Sequence, residues 1–250
     1  MIGIDHSDFN NVVMSGPPTS LYGDTSVLQA DDIDACVKLY GAPVATTRTI
    51  AGTISNGSAL SGVTFCARPA AGVTCNTSSN SGAYSCTVPN GWIGQLHAPA
   101  PPGLRIKAQS FTNVTANLTS QNPVVQSIGA CNLDVDNNGL IEPATDGVAI
   151  LRRMLGMTSG GFSGLAGTCA ANTSATSIFN ATTSNYNATG GTATLFGTDG
   201  LVIMRAMQGL TGTAVTDGLG LNAESGTTNT NWTNIRNNFL NTTCGANFLP

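Results

Sequence analysis

Between Asp134 and Glu142 the chain sets oxygen-bearing side chains at alternate positions, Asp134, Asp136 and Asn138, followed by Gly139, Leu140, Ile141 and Glu142. Oxygen donors at loop positions one, three and five, a glycine at six for a sharp turn, a main-chain carbonyl at seven and an apolar residue at eight are what a flexible calcium loop requires. Position twelve, where such a loop closes on a carboxylate, is Thr145, and the carboxylate falls one place later, at Asp146. Either the exit from the loop is one residue longer or the last ligand shifts, and Pro143 suits a bulged exit. The expected calcium ligands are Asp134, Asp136, Asn138, Leu140 through its carbonyl, Glu142 and Asp146. The alternative is an Asp/Asn-rich turn that caps a helix without metal.

A second group with ligand chemistry stands at the N-terminus, where Gly3, Asp5 and His6 precede Met14 in the stretch VVMSG. Only two histidines occur in the chain, His6 and His97. His97 lies in a strand-like run with no second histidine or cysteine pair beside it, and is read as a strand residue.

The elements that must position these residues fall into three zones, a multidomain α+β arrangement. Zone one, residues 1–43, ends in LQADDIDACVKLYGAP, with Asp31, Asp32 and Asp34 early, Lys38 late, Gly41 just beyond and Pro43 after it, the punctuation of a helix. Ile33, Cys36, Val37 and Tyr40 share a face of that helix. Zone two, residues 46–128, consists of short runs such as RTIAGTI, SGVTFCA, GVTCNT, GAYSCTV and WIGQLHA between Asn-Gly and Ser/Asn-rich turns, which predict a small antiparallel β-sandwich. Zone three, residues 131–250, contains an internal repeat and reads as a small helical domain. TDGVAILRRMLGMT at 145–158 and TDGLVIMRAMQGLT at 198–211 share eight of fourteen residues. Both predict helices capped by the Thr or Asp and ended by Gly156 or Gly209. A further amphipathic helix is expected around Trp232, Ile235 and Phe239. The stretch before the second repeat has Asn187 and Asp199 at its ends but Thr189 and Gly191 between them, too few charged oxygens for tight calcium binding.

Composition bounds the function. With 9 Lys and Arg against 13 Asp and Glu among 250 residues, a formal net charge of -4, the chain has no basic surface to neutralise phosphates, which excludes nucleic-acid binding. No run of about 18 apolar residues offers a membrane span. Seven cysteines point to an oxidising compartment, and their odd number leaves one without an intrachain partner. Cys75 and Cys86 can close a hairpin, although spacing alone does not fix the pairing. The N-terminal MIGIDHSDFNN has neither the basic start nor the apolar stretch of an export signal.

Three resemblances organise these readings. The loop-helix repeat of 131–250 resembles the dockerin family, whose members carry two calcium loop-helix units and dock onto cohesin modules; its spacing is longer than the family's norm and its second loop is degenerate. The resemblance implies Ca2+ binding and a cohesin-like or surface partner. The phrases GTISNGSALSGVTFCA and SGAYSCTVPNGW resemble transthyretin-like, Ig-like or carboxypeptidase-regulatory-like sandwiches, which implies a spacer without catalysis. Gly3, His6, Met14 and the helix from Asp31 to Gly41 resemble the final third of a matrixin-type metzincin, whose signature is H-E-x-x-H-x-x-G-x-x-H followed by a methionine turn. On that resemblance Gly3 is the bend glycine, His6 the third zinc ligand and Met14 the turn methionine. The first two Zn2+ histidines and the catalytic glutamate would precede Met1, together with an export signal and a partner for Cys36.

The reading is thus the C-terminal portion of a secreted zinc metalloendopeptidase acting on peptide bonds, inactive as residues 1–250 and carrying a calcium module. The alternative is a non-enzymatic extracellular calcium-binding anchoring protein, or an extracellular structural protein without a specific partner. Residues 1–43 are expected to be poorly ordered or loosely docked without an upstream half, because a lone short helix is marginal in water.

Overall fold

Alternation of buried and half-buried residues governs the first part of the chain beyond residue 46. In Ala83–Pro89, Tyr84, Cys86 and Val88 point to one side and are buried, while Ser85 and Thr87 face the other. The computed structural model describes residues 37–38, 47–182, 185–221 and 225–245. The chain divides into two compact units, residues 1–46 and 47–250. Of the first, only Val37 and Lys38 are described, both helical. The rest of the helix expected up to Gly41, together with Gly3, His6, Met14 and Cys36, lies outside the described residues, as does the expected ordering of residues 1–43.

Within the second unit eight strands come first: β1 (Thr47–Thr53), β2 (Cys66–Arg68), β3 (Thr74–Cys75), β4 (Ala83–Pro89), β5 (Trp92–His97), β6 (Leu104–Ile106), β7 (Gln109–Val114) and β8 (Val125–Ser127). They form sheets of order β1-β4-β3, β2-β5-β7 and β6-β8, with every pairing antiparallel. The two three-stranded sheets bury one common cluster that includes Ile50, Tyr84 and Val88 from the first and Ala67, Trp92, Leu96 and Phe111 from the second. Phe65 stacks on Tyr84 at 4.2 Å between ring centroids, the offset contact that adds to area burial. The opposite side of β2 and β5 carries Cys66, Arg68, Gln95 and His97, and it is this side that meets the loop at residue 134 onward.

Helices follow: α1 (Val148–Met154), α2 (Ala175–Ala181), α3 (Leu201–Met207), α4 (Thr213–Thr216) and α5 (Trp232–Asn234), the last continuing through π-helical turns over Ile235–Asn241. At seven residues or fewer none of α1 to α5 would persist alone, so packing must hold them. A second cluster does so, with Leu133, Val135, Ile150, Phe162, Ile178, Val202, Ile203, Ile235 and Phe239 buried together. The two repeated helices cross through reciprocal glycines. A β-carbon on Gly147 would meet Met204 and Met207 of the other repeat, and one on Gly200 would meet Leu151 and Met154 of the first. These residues correspond at the same offset, so the repeat seen in the sequence is also a repeat in packing.

Among the described residues, three disulfides tie the unit together. Cys75 and Cys86 face each other in register across β3 and β4, closing the hairpin. Cys131–Cys244 joins the start of the helical part to its end, and Cys66–Cys169 links β2 to a segment between α1 and α2. Among the described residues no helix is long and apolar enough to cross a membrane.

One local expectation changes. The repeated helices are not capped by Thr145, Asp146 or their counterparts. Each begins with a π-helical turn, Pro143–Gly147 or Phe196–Gly200, whose flanking residue, Glu142 or Leu195, makes no side-chain cap. Gly156 and Gly209 do end them, with φ of 73° and 81° in the left-handed region that terminates helices. Helix α2 was not anticipated, although Ser174 and Ser177 form a reciprocal capping box at its start.

Candidate metal centre

Asp134, Asp136 and Asp146 converge, each buried, with one carboxylate oxygen of each lying within 4.8 Å of the others. The loop backbone imposes this. Asp134 accepts the Asn138 N–H on Oδ1 and the Gly139 N–H on Oδ2, both at 3.0 Å. Asp136 Oδ1 accepts the same Asn138 N–H at 3.1 Å, and Asn138 Oδ1 accepts the Leu140 N–H at 2.7 Å. The chain can fold so tightly because Asn137 and Gly139 adopt left-handed backbone, φ 53° and 86°.

The late carboxylate reaches the others through the widened turn. The Gly147 N–H donates to the Glu142 carbonyl five residues back, at 3.1 Å, which takes up one residue more than an α-turn. Asp146 then folds back over the loop, its Oδ2 accepting the Glu142 N–H and its Oδ1 the Val135 N–H, each at 2.8 Å. Of the two alternatives open in the sequence, the longer exit is the one formed, as this π-helical turn, and Pro143 opens it.

Three buried carboxylates this close resist ionisation together. Burial pushes the Asp134 carboxyl up to about 7, with the Arg105 guanidinium opposing the rise and Asp136 adding to it. Asp136 is raised by burial, and Asp146 well above the usual carboxylate range by burial and by its two neighbours. A bound divalent cation would reverse that cost by pairing with the charged forms. The three donors are all carboxylate oxygens, the kind that hard divalent cations take.

Two further expected ligands, Asn138 and Glu142, are bonded to each other. Asn138 donates from Nδ2 to Glu142 Oε2 at 3.2 Å. Glu142 is ion-paired to Arg68 of β2 and lies outside the group of three. His97, at the end of β5, is buried with Nδ1 at 2.7 Å from the Asn138 carbonyl oxygen, so the residue read as an ordinary strand histidine braces the loop. Asn137 exchanges two hydrogen bonds with Ala100, its Oδ1 accepting at 2.9 Å and its Nδ2 donating at 3.0 Å. The N–H of Gly167 donates to Asp136 Oδ2 at 2.6 Å. Arg68, His97 and Gly167 had no motif to mark them; they come from distant parts of the chain and meet the loop only in three dimensions.

The second repeat has the same frame with one carboxylate where the first has three. Asp199 accepts the Thr189 and Leu195 N–H groups at 2.8 and 2.7 Å, as Asp146 does in the first. Where the first loop has Asp136, Thr189 donates its hydroxyl to Asp199 at 2.9 Å, and where it has Asp134, Asn187 donates its amide to the Gly191 carbonyl at 2.7 Å. Internal hydrogen bonds stand where the first loop gathers carboxylates. Comparison with family models, with curated proteins and with solved structures finds no match to this chain, so the reading of the site rests on its own residues and geometry.

Proposed function

We propose that residues 47–250 form a calcium-stabilised extracellular module, with the ion held by Asp134, Asp136 and Asp146 and the shell completed by Asn138, the Leu140 carbonyl and Glu142. The observation that carries this reading is the convergence of three buried carboxylates at loop positions one, three and thirteen. Their mutual repulsion in the metal-free chain is offset when a divalent cation binds. The three disulfides support an extracellular setting, where such bridges persist. Thermal unfolding tests it: calcium at about a hundred times its dissociation constant stabilises a binding chain by about 2.7 kcal/mol relative to excess chelator. Identical melting in calcium and chelator would refute the reading.

For the whole chain we propose the C-terminal portion of a matrixin-like zinc metalloendopeptidase, to which a β-sandwich spacer and this dockerin-like module are appended. The support is the order and spacing of Gly3, His6, Met14 and the Asp31 to Gly41 segment. Among the described residues His97 has its Nδ1 on the Asn138 carbonyl, and the six described cysteines are all in disulfides. Coding DNA read in frame upstream of Met1 is expected to show H-E-x-x-H, and residues 1–250 should leave casein intact; zinc-dependent degradation by this chain alone would contradict the assignment.

An anchoring role is the second reading. Leu155, Met157, Leu195, Phe196 and Leu210, at the ends of the repeated helices and their wide turns, are exposed, which favours a module that docks to a cohesin-like or surface partner.

A further inference from the structure

The segment from Gly167 to Asn172 runs along the metal loop and is bonded to it repeatedly. Gly167 donates to Asp136 Oδ2, the Asn172 N–H donates to the Asp136 carbonyl at 2.8 Å, the Ala171 N–H to the Asn137 carbonyl at 3.2 Å, and Asn172 Nδ2 to the Val135 carbonyl at 2.9 Å. Gly167 approaches so closely that a β-carbon on it would stand 2.6 Å from Asn138 Nδ2 and 2.9 Å from Asp136 Oδ2. Two residues on, Cys169 holds φ at 64°, a backbone region that L-residues seldom occupy, and is bonded to Cys66. Cys66 is in turn registered against His97, which contacts the Asn138 carbonyl, and lies two residues from Arg68, which pairs with Glu142. One covalent bridge thus fixes both sides of the loop, the sheet below and the strap above.

We propose that the strap and the Cys66–Cys169 disulfide are a clasp on the metal centre: the bridge holds Gly167 against Asp136, so that calcium affinity depends on this disulfide and on a residue without a side chain at 167. The inference rests on the calcium reading and names what controls that site. Asp136 has two oxygens and each already accepts one backbone N–H, from Asn138 and from Gly167. These bonds set the orientation in which the remaining lone pairs face the other carboxylates. Loss of such outer-shell partners lowers metal affinity by about 10- to 100-fold. Gly167→Ala leaves the disulfide in place but pushes on the very oxygen that would ligate, while Cys66→Ser with Cys169→Ser frees the strap and leaves Gly167 unaltered.

The experiment is calcium titration calorimetry on the full chain in four forms: unaltered, Gly167→Ala, the Cys66/Cys169 double serine variant, and a Cys75/Cys86 double serine variant whose bridge is remote from the loop. Far-UV circular dichroism in chelator establishes which forms are folded. The expected result is a dissociation constant raised about tenfold or more by either clasp variant and unchanged in the Cys75/Cys86 control. Hydrogen exchange over residues 163–172 with calcium bound should rise in the double serine clasp variant. Should that variant fail to fold, Gly167→Ala decides the matter. An unaltered chain that binds while both clasp variants bind within twofold of it overturns the clasp alone; an unaltered chain that takes no calcium overturns the calcium reading and the clasp with it.

Discussion

Asp134 and its two partners are buried carboxylates packed together, which gives the site a definite pH signature. In the metal-free fold the Asp134 carboxyl is raised to about 7 by burial, from an ordinary value near 3.8, and Asp136 and Asp146 shift the same way. A carboxyl whose folded value is raised contributes stability below its unfolded value and loses it as pH climbs through the folded one. The metal-free chain should accordingly melt at a lower temperature at pH 8 than at pH 5. On the calcium reading proposed above, the ion would take the ionised form, so its affinity should rise over the same interval and binding should release protons, measurable by calorimetry in buffers of different ionisation enthalpy. Gly139 gives a second test. Its φ of 86° and a backbone oxygen of Ala98 only 2.5 Å from a built β-carbon leave no room for alanine, and Gly139→Ala should cost about 1–3 kcal/mol in chemical unfolding. At this scale the sequence was informative where chemistry is local. Asp134, Asp136, Asn138 and the displaced Asp146 could be read from their spacing, whereas Arg68, His97 and Gly167 could not, because each joins the loop through a bond that spans 31 residues or more.

The two loop-helix elements show how one frame serves with three gathered carboxylates and with one. In the second, the Thr189 hydroxyl and the Asn187 amide fill by hydrogen bonding the space that carboxylates occupy in the first. Asp199 there has a structural task, accepting two backbone N–H groups and one hydroxyl while buried. Asp199→Ala should therefore lower stability by about 2–3 kcal/mol, through donors left unsatisfied, and leave the calcium stoichiometry unchanged; a change in the number of ions bound would show that the second loop ligates. The repeat at an offset of 53 residues and the terminating glycines were legible as sequence identity. The wide turns were foreshadowed only at Asp146, since nothing in Phe196–Gly200 advertises a five-residue hydrogen bond. Helix α4 is too short for hydrophobic periodicity to reveal it, and α2, although as long as α1 and α3, has no repeated copy in the sequence to mark it.

Across the whole molecule, abundant cysteine pointed to disulfides but not to their connectivity. The hairpin bridge was suggested by nearness in sequence, but Cys66–Cys169 and Cys131–Cys244 span 103 and 113 residues and follow from how the sheets and helices pack. Closing so long a loop restricts the unfolded chain most, and replacing Cys131 and Cys244 with serine should cost about 4 kcal/mol, read from chemical unfolding in saturating calcium. The β-rich and helical parts each have their own buried cluster, yet they belong to one compact unit, with the loop from Asp134 to Asp146 and its neighbours His97, Arg68 and Ala100 at the junction. Calcium at that junction would stabilise both parts together. The most direct measurement is the stoichiometry of calcium binding to the full chain by titration calorimetry, alongside the variant carrying Asp134→Asn and Asp136→Asn. One ion per chain, lost in the double variant, is the result expected; no saturable binding, or binding that survives the loss of both carboxylates, would contradict it.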